Sequence, residues 1–196
     1  MTLDDLARAL DAPAGWEASL LAAAAPAFET LAVAGVRAGV YAGTSPDGTP
    51  FAPLRHPGGK PLLNTAVMAQ GVTAKMQGDE LTLRSTAPQA SLQHFGGTVT
   101  PTRGQFLAVP LTAEARRAGS PRAFPRPLDF RRKGGPRAKG RPGVMLDDAG
   151  TAQYALVKSV TLPPRPWLGF SAETAEDLGD ELTRRYAAFF TNLARA

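Results

Sequence analysis

The hydrophobic periodicity of this chain changes twice, from a period near 3.6 to a period of 2 and back, and that alternation limits the folds open to it. A helical stripe at each end, with strand-like alternation between them, buries its apolar residues in a mixed architecture of helices packed on a sheet. At the N-terminal end Leu3, Leu6, Ala7 and Leu10 recur at helical spacing behind Thr2 and Asp5, a pair with capping-box character, and Asp11-Ala12-Pro13 closes that short helix. Trp16, Leu20, Leu21, Ala24, Phe28, Leu31 and Val36 give a second helical face, which Pro26 should kink or split. Gly43 to Pro50 is turn chemistry, so the helical region stops by about Tyr41.

In the middle, Val72, Ala74 and Met76 alternate with Thr73 and Lys75, Gly78-Asp79 follow, and Leu81 and Leu83 alternate with Thr82 and Arg84. This predicts a β-hairpin with one buried face and a Gly-first turn. Phe106 to Val109, limited by Pro110, and Val144 to Leu146 read as short strands; Gln153 to Leu162 reads as a longer one after the turn Asp148-Ala149-Gly150. The last helix begins at Ser171, its N-cap, and its apolar positions Leu178, Leu182, Tyr186, Phe189 and Leu193 are spaced by four, four, three and four. Acids fill its first half and arginines its second, as the helix dipole favours. The expected fold is therefore α+β, a single domain over 1–196. A small, mainly antiparallel sheet containing residues 72–84 and 153–162 is packed by the N-terminal helices and one C-terminal helix, with Trp167 and Leu182 as buried anchors.

Charge is distributed unevenly. Residues 98–142 hold eleven Lys and Arg against two acids, Glu114 and Asp129, so the net charge of +5 belongs to this stretch and not to the rest of the chain. The same residues carry five Gly and seven Pro, which disfavours regular structure from about Ala118 onward. A long, irregular, basic insertion between strands is expected, densest at Arg131, Arg132, Lys133, Arg137, Lys139 and Arg141. Such a run is either a solvated loop or a contact for a polyanion, nucleic acid or an acidic protein surface.

Catalytic chemistry has few residues to work with. With no cysteine, disulfides, thiol nucleophiles and Cys-ligated metals are excluded, and His56 and His94 are the only histidines. Gly58-Gly59-Lys60 is followed by Pro61 where a phosphate loop needs Ser or Thr, and no glycine stands five residues before Gly59. His94 has no recognisable nucleophile or orienting carboxylate nearby and reads as a structural histidine at a turn; His56 reads as a surface loop residue. Pro163 and Pro166 match PxxP, a pattern common by chance in a proline-rich chain. No catalytic, metal or cofactor site is expected. The longest apolar stretch near the N-terminus, Ala18 to Phe28, spans 11 residues and reads as neither a signal peptide nor a membrane span, so a soluble chain without a membrane partner is expected.

Four blocks carry a family resemblance. Pro46-Asp47-Gly48-Thr49-Pro50-Phe51-Ala52-Pro53-Leu54 resembles PDGxxWxPL, and Pro61-Leu62-Leu63-Asn64-Thr65 resembles LLDTG, with Asn64 and Ala66 where Asp and Gly are usual. Gln93-His94-Phe95-Gly96-Gly97 resembles HQFGG with the two polar residues exchanged, and Leu162-Pro163-Pro164-Arg165-Pro166-Trp167-Leu168-Gly169 resembles IPARPFLG. In this order they are similar to the blocks of the phage virion morphogenesis proteins, which include tail-completion and neck proteins of Mu-like phages and prophages. The resemblance implies a non-enzymatic structural protein of the head–tail junction or tail end. It would be made in the bacterial host cytoplasm and assembled into the virion, as a homo-oligomeric ring, a hexamer if it follows tail symmetry, in contact with other neck or tail proteins. It implies no cofactor and no small-molecule substrate. The basic run would face non-specific DNA or an acidic neighbouring protein.

Two other readings remain open on the residues. One is a monomeric basic nucleic-acid-binding protein using residues 116–141, without any aromatic-rich RNA-binding motif, zinc finger or clear helix-turn-helix to accompany the charge. The other is a hydrolase pairing His94 with a distant aspartate.

Overall fold

A computed structural model describes residues 15–54, 60–63, 66–132 and 142–193. The fold is α+β, helices with small antiparallel sheets. The short helix expected before Pro13 lies outside the described residues, as do His56, Gly58, Gly59, Asn64, Thr65, Lys133, Arg137, Lys139 and Arg141. The chain divides into two compact units, Met1–Phe95 with Pro164–Ala196, and Gly96–Pro163.

The first unit is organised by α1, Trp16–Ala42, a single helix of 27 residues that runs through Pro26 instead of splitting there. A proline removes one backbone bond and crowds the preceding turn. Here that local loss is outweighed by the burial of a continuous stripe, Leu20, Ala24, Phe28, Ala32, Val36 and Val40, on both sides of it. Gly43, at φ 84°, ends the helix in the left-handed conformation, its N–H bonded to Gly39 O. The helix is long and apolar enough to cross a membrane by length and composition, a property that the 11-residue reading of Ala18 to Phe28 missed because small residues extend the apolar run.

Against this stripe packs the expected hairpin, β1 (Val72–Gln77) and β2 (Glu80–Ser85), antiparallel, with Gly78 at φ 63° opening its turn. A short α2, Val67–Gln70, leads into it. Two polar ties fix the hairpin side to α1. Glu29 Oε1 accepts the Met76 N–H at 3.0 Å and pairs with Lys75 at 3.4 Å, and Arg37 Nε donates to Ala69 O at 2.9 Å. After β2 comes α3, Ala90–Phe95.

The unit is completed by the C-terminal helix, Ala172–Leu193, which is α5 in chain order because α4 (Ala113–Ala118) belongs to the intervening unit. Ser171 caps it as expected, its Oγ accepting the Thr174 N–H at 3.1 Å. Trp16 stacks on Phe189, with ring centroids 5.1 Å apart, and meets Tyr186 and Phe190 edge-on. Leu182 corrects the expectation of a buried anchor, because it is only half-buried and the neighbouring Glu181 is the buried residue. The reason is electrostatic. Glu181 Oε1 accepts from Arg185 Nε at 2.8 Å, Oε2 pairs with Arg184, and Arg185 Nη1 reaches across to Ala23 O at 3.1 Å, so a paired acid and not a leucine occupies the turn against α1.

The second unit contains a two-stranded pair, β3 (Gly97–Val99) with β8 (Val160–Leu162), and a four-stranded antiparallel sheet in the order β4-β7-β6-β5. Its strands are β4 (Leu107–Pro110), β5 (Asp129–Arg132), β6 (Gly143–Leu146) and β7 (Ala152–Val157). The strand expected over 153–162 is thus two strands, β7 and β8, and neither shares a sheet with the hairpin at 72–84. The two sheets separate because each has its own helical cover. The hairpin lies on α1, while Ala115 of α4 (Ala113–Ala118), Phe124 and Tyr154 form a core of their own.

In the described part of 98–142, regular structure extends further than the composition suggested. Thr112 caps α4 by accepting the Ala115 N–H at 3.1 Å, Ser120 caps a 3-10 turn at Pro121–Ala123, and β5 pairs with β6. Two of the prolines fall where no donor is required, Pro121 at the first position of that turn and Pro110 at the end of an edge strand.

Packing between α1 and α5 is tight at Gly35, where an added Cβ would lie 2.8 Å from Thr174 Cγ2. Thr174 is β-branched and buried, so it cannot swing aside. Gly35→Ala is therefore expected to destabilise the protein by about 1–3 kcal/mol in urea denaturation. Gly179→Ala, in the same helix pair but facing open space, is expected to stabilise it by roughly 0.5–1 kcal/mol. Equal effects of the two substitutions would contradict the packing described.

Candidate functional site

Three of the four resembling blocks meet around one side chain. Arg165 sits in the extended, proline-flanked segment before α5 and is only 5% exposed. Its Nε donates to Ala52 O at 2.9 Å, Nη2 to Pro53 O and Nη1 to Gln93 Oε1, both at 3.4 Å, while its own backbone N–H bonds to Gln93 O at 3.0 Å. No carboxylate among the described residues pairs with it, and burial draws its pKa below the usual guanidinium value. A charge this buried is tolerable only because carbonyl and amide oxygens take up its donors.

Beside it, His94 Nδ1 accepts the backbone N–H groups of Trp167 at 3.3 Å and Leu168 at 3.4 Å, and Trp167 Nε1 donates to Ala90 O. His94 therefore holds backbone in place, as the structural reading expected. Gly96 and Gly97, at φ 72° and 150°, turn the chain out of α3. Phe95 is left 75% exposed at this corner.

Apolar residues from three of the blocks share one core. Phe51 and Trp167 are buried there with Val36, Val40, Met68, Ala69, Val72 and Ala87, and Leu62, Leu63, Ala90 and Leu168 pack at its edge. Ala66, which stands where the resembled motif has glycine, takes φ 54°. A side-chain-bearing residue thus adopts the left-handed conformation that glycine reaches without strain. Arg165, Pro166, Trp167, Gln93 and His94 are brought together by the structure, with Phe95 exposed at the edge of the group.

A cleft of about 340 Å³ opens nearby, lined by Gly39, Ser45, Asp47, Trp167, Ser171 and Glu173 among others. Asp47 closes the preceding turn by accepting from Ser45 Oγ and from the Thr49 N–H, and these bonds hold its carboxyl below the usual range. Among the described residues no group of His, Asp and Glu could hold a metal ion.

The basic residues belong to the second unit, where a closed polar circuit surrounds α4. Thr112 Oγ1 bonds Gln153 Oε1, Gln153 Nε2 donates to Asp147 Oδ2 at 2.8 Å, Arg126 reaches Asp147 at 3.3 Å, and Arg126 also pairs with Glu114 on α4. Asp147, buried, has its carboxyl held below the usual range by Gln153, by the Thr151 N–H and by the charge of Arg126. Sequence reasoning missed this circuit, whose members are scattered over some forty residues with no common motif. Asp148 pairs with Arg126 and Asp129 with Arg131. The described acids of this unit are thus all engaged by two arginines, while Arg103, Arg117 and Arg122 project exposed. Of the six expected contact residues, Arg131 is exposed on edge strand β5, Arg132 ends that strand, and the other four lie outside the described residues.

No protein-family model, no curated protein and no solved structure matches this chain.

Arg165→Lys is expected to destabilise the protein by about 1–3 kcal/mol, because a single ammonium cannot serve Ala52, Pro53 and Gln93 together. Chemical denaturation measures it, and an unchanged midpoint would show the bridge to be dispensable. A second expectation concerns pH. Asp147 and Glu181 have folded pKa values below their ordinary ones, so their contribution is present above about pH 4 and is lost as pH falls through the folded values. Stability should decline from pH 5 to pH 3, and Asp147→Asn should flatten that decline; a variant with the wild-type slope would exclude Asp147 as a source.

Proposed function

We propose that this protein is a structural component of a phage or prophage particle, acting in virion morphogenesis at the head–tail junction or tail end. The observation that carries the reading is the convergence of the resembling blocks. Gln93 and His94, Ala52 and Pro53, and Arg165 and Trp167 are remote in sequence yet bond to one another, and Leu62 and Leu63 share their core. Blocks that resemble a family by chance have no reason to meet. In this role the protein is not an enzyme and takes no cofactor. It works as a homo-oligomeric ring whose head-to-tail contacts close on themselves, alongside other neck or tail proteins.

A ring places the basic residues under a constraint, because identical charges facing each other across a subunit contact cost several kcal/mol. Such a ring therefore keeps its basic run out of that contact and available to genome DNA in the lumen or to an acidic neighbouring protein. The runner-up, a monomeric nucleic-acid-binding protein using residues 116–141, draws support from the exposed Arg117, Arg122 and Arg131.

Deleting the gene from an inducible prophage that carries it should yield heads and tails that fail to join, seen by negative-stain microscopy, and complementation should restore infectious particles. Joined particles at full titre in its absence would overturn the reading. Removing residues 130–141 should leave folding and self-association intact while lowering particle yield. A chain that stays monomeric at all concentrations and binds DNA in a salt-dependent manner, with no effect on particles, favours the runner-up.

A further inference from the structure

Charge in the second unit is sorted as well as unbalanced. Between Gly96 and Pro163 there are twelve Lys and Arg against four acids, Glu114, Asp129, Asp147 and Asp148. Three of these acids, Glu114, Asp147 and Asp148, converge on the single guanidinium of Arg126, and Asp129 pairs with Arg131. The negative charge of the unit is thereby taken up by two arginines. Arg103 in the loop before β4, Arg117 on α4, Arg122 in the 3-10 turn and Lys158 in the bend after β7 are all exposed, and none of the described acids pairs with them. Residues 133–141 supply four further basic residues and no acid, so they cannot neutralise this surface.

The partner that suits such a surface follows from what else it carries. A protein interface is anchored by a desolvated apolar or aromatic centre, with charge at its rim. Among the described residues of this unit the exposed large apolar side chains are Leu111 and Phe130 alone, and the four unpaired cations lie on four separate elements. A nucleic-acid backbone asks for less, because each phosphate is met by an exposed cation and the affinity comes from the counterions released. Single strands need in addition aromatic rings on which bases stack. Phe130, 36% exposed, is the one ring that the described part of the unit offers them. Base reading needs an element that enters a groove, and α4, with six residues, is about 9 Å long, too short to present several side chains along one.

We propose that this folded surface, through Arg103, Arg117, Arg122 and Lys158, is a contact for the phosphate backbone of duplex DNA, without preference for sequence and in addition to any contact made by the run at 131–141. It rests on the reading above only for where in a particle that DNA lies. Arg126 supports the contact without making it: by pairing three carboxylates it leaves no free acid among them to repel the phosphates.

Purified full-length protein and a short fluorescein-labelled duplex of mixed sequence test this by anisotropy, with no particle involved. The wild type should bind at low salt, with the logarithm of its affinity falling linearly against the logarithm of salt concentration. Arg103→Ser, Arg117→Ser, Arg122→Ser and Lys158→Ser together should weaken binding by at least about tenfold and reduce that slope by about 3. The thermal midpoint should stay unchanged, as it does when exposed, unbonded side chains are replaced. In a chain already carrying Ser at Lys133, Arg137, Lys139 and Arg141, the same four substitutions should again weaken binding by at least about tenfold. Wild-type affinity in the first variant, or a preference of more than about tenfold for one duplex sequence over another, would overturn the proposal. So would complete displacement of the duplex by an equal charge of polyglutamate, which would assign the surface to an acidic protein. The prophage deletion tests the particle reading separately, and either experiment can fail without the other.

Discussion

A guanidinium removed from water must have its donors met, and in this protein that requirement is placed on Arg165. The oxygens that meet it belong to the loop after α1, at Ala52 and Pro53, and to α3, at Gln93. Once Arg165 is fixed, the next two residues are fixed as well. Trp167 enters the core against Val36 and Val40, His94 takes its backbone N–H, and Ser171 is delivered to cap α5. The C-terminal helix thus reaches its seat on α1 through a segment with no regular secondary structure, held by side-chain-to-backbone bonds.

How legible this was in the sequence depends on the range of the interaction. Features decided within a few residues could be read directly: the Ser171 cap, the Gly78 turn, the Gly43 helix stop and the two ends of the hairpin. Features decided at long range could not. Pro26 reads as a breaker because the local rule is clear, but the stripe from Leu20 to Val40 that overrides it is a tertiary effect. Leu182 fits the helical stripe, yet Glu181 takes the buried position because two arginines reach it. The stretch 98–142 looks irregular by composition, whereas in its described part caps at Thr112 and Ser120 and a partner strand for β5 give regular structure. In the candidate site, Gln93, His94, Arg165 and Trp167 could be singled out from the blocks they belong to. That Arg165 would serve carbonyls instead of an acid had no signal in the sequence.

The two units carry different chemistry. The first buries its apolar surface around α1, pairs its buried Glu181 with Arg184 and Arg185, and meets its buried Arg165 with carbonyl and amide oxygens. The second gathers most of the positive charge and engages its described acids on Arg126 and Arg131, while Arg103, Arg117 and Arg122 are exposed.

The segment from Arg165 to Leu168 is as firmly held as the helices, and amide hydrogen exchange tests this most directly. An irregular segment held by nothing exchanges at rates set by local opening, whereas one locked into the core exchanges only with global unfolding. The backbone N–H groups of Arg165, Trp167 and Leu168 should therefore show protection equal to that of core positions in α1 such as Val36 and Val40. Protection at the level of an exposed loop would mean that Arg165 does not tie these segments together and that α5 is held by its helix contacts alone.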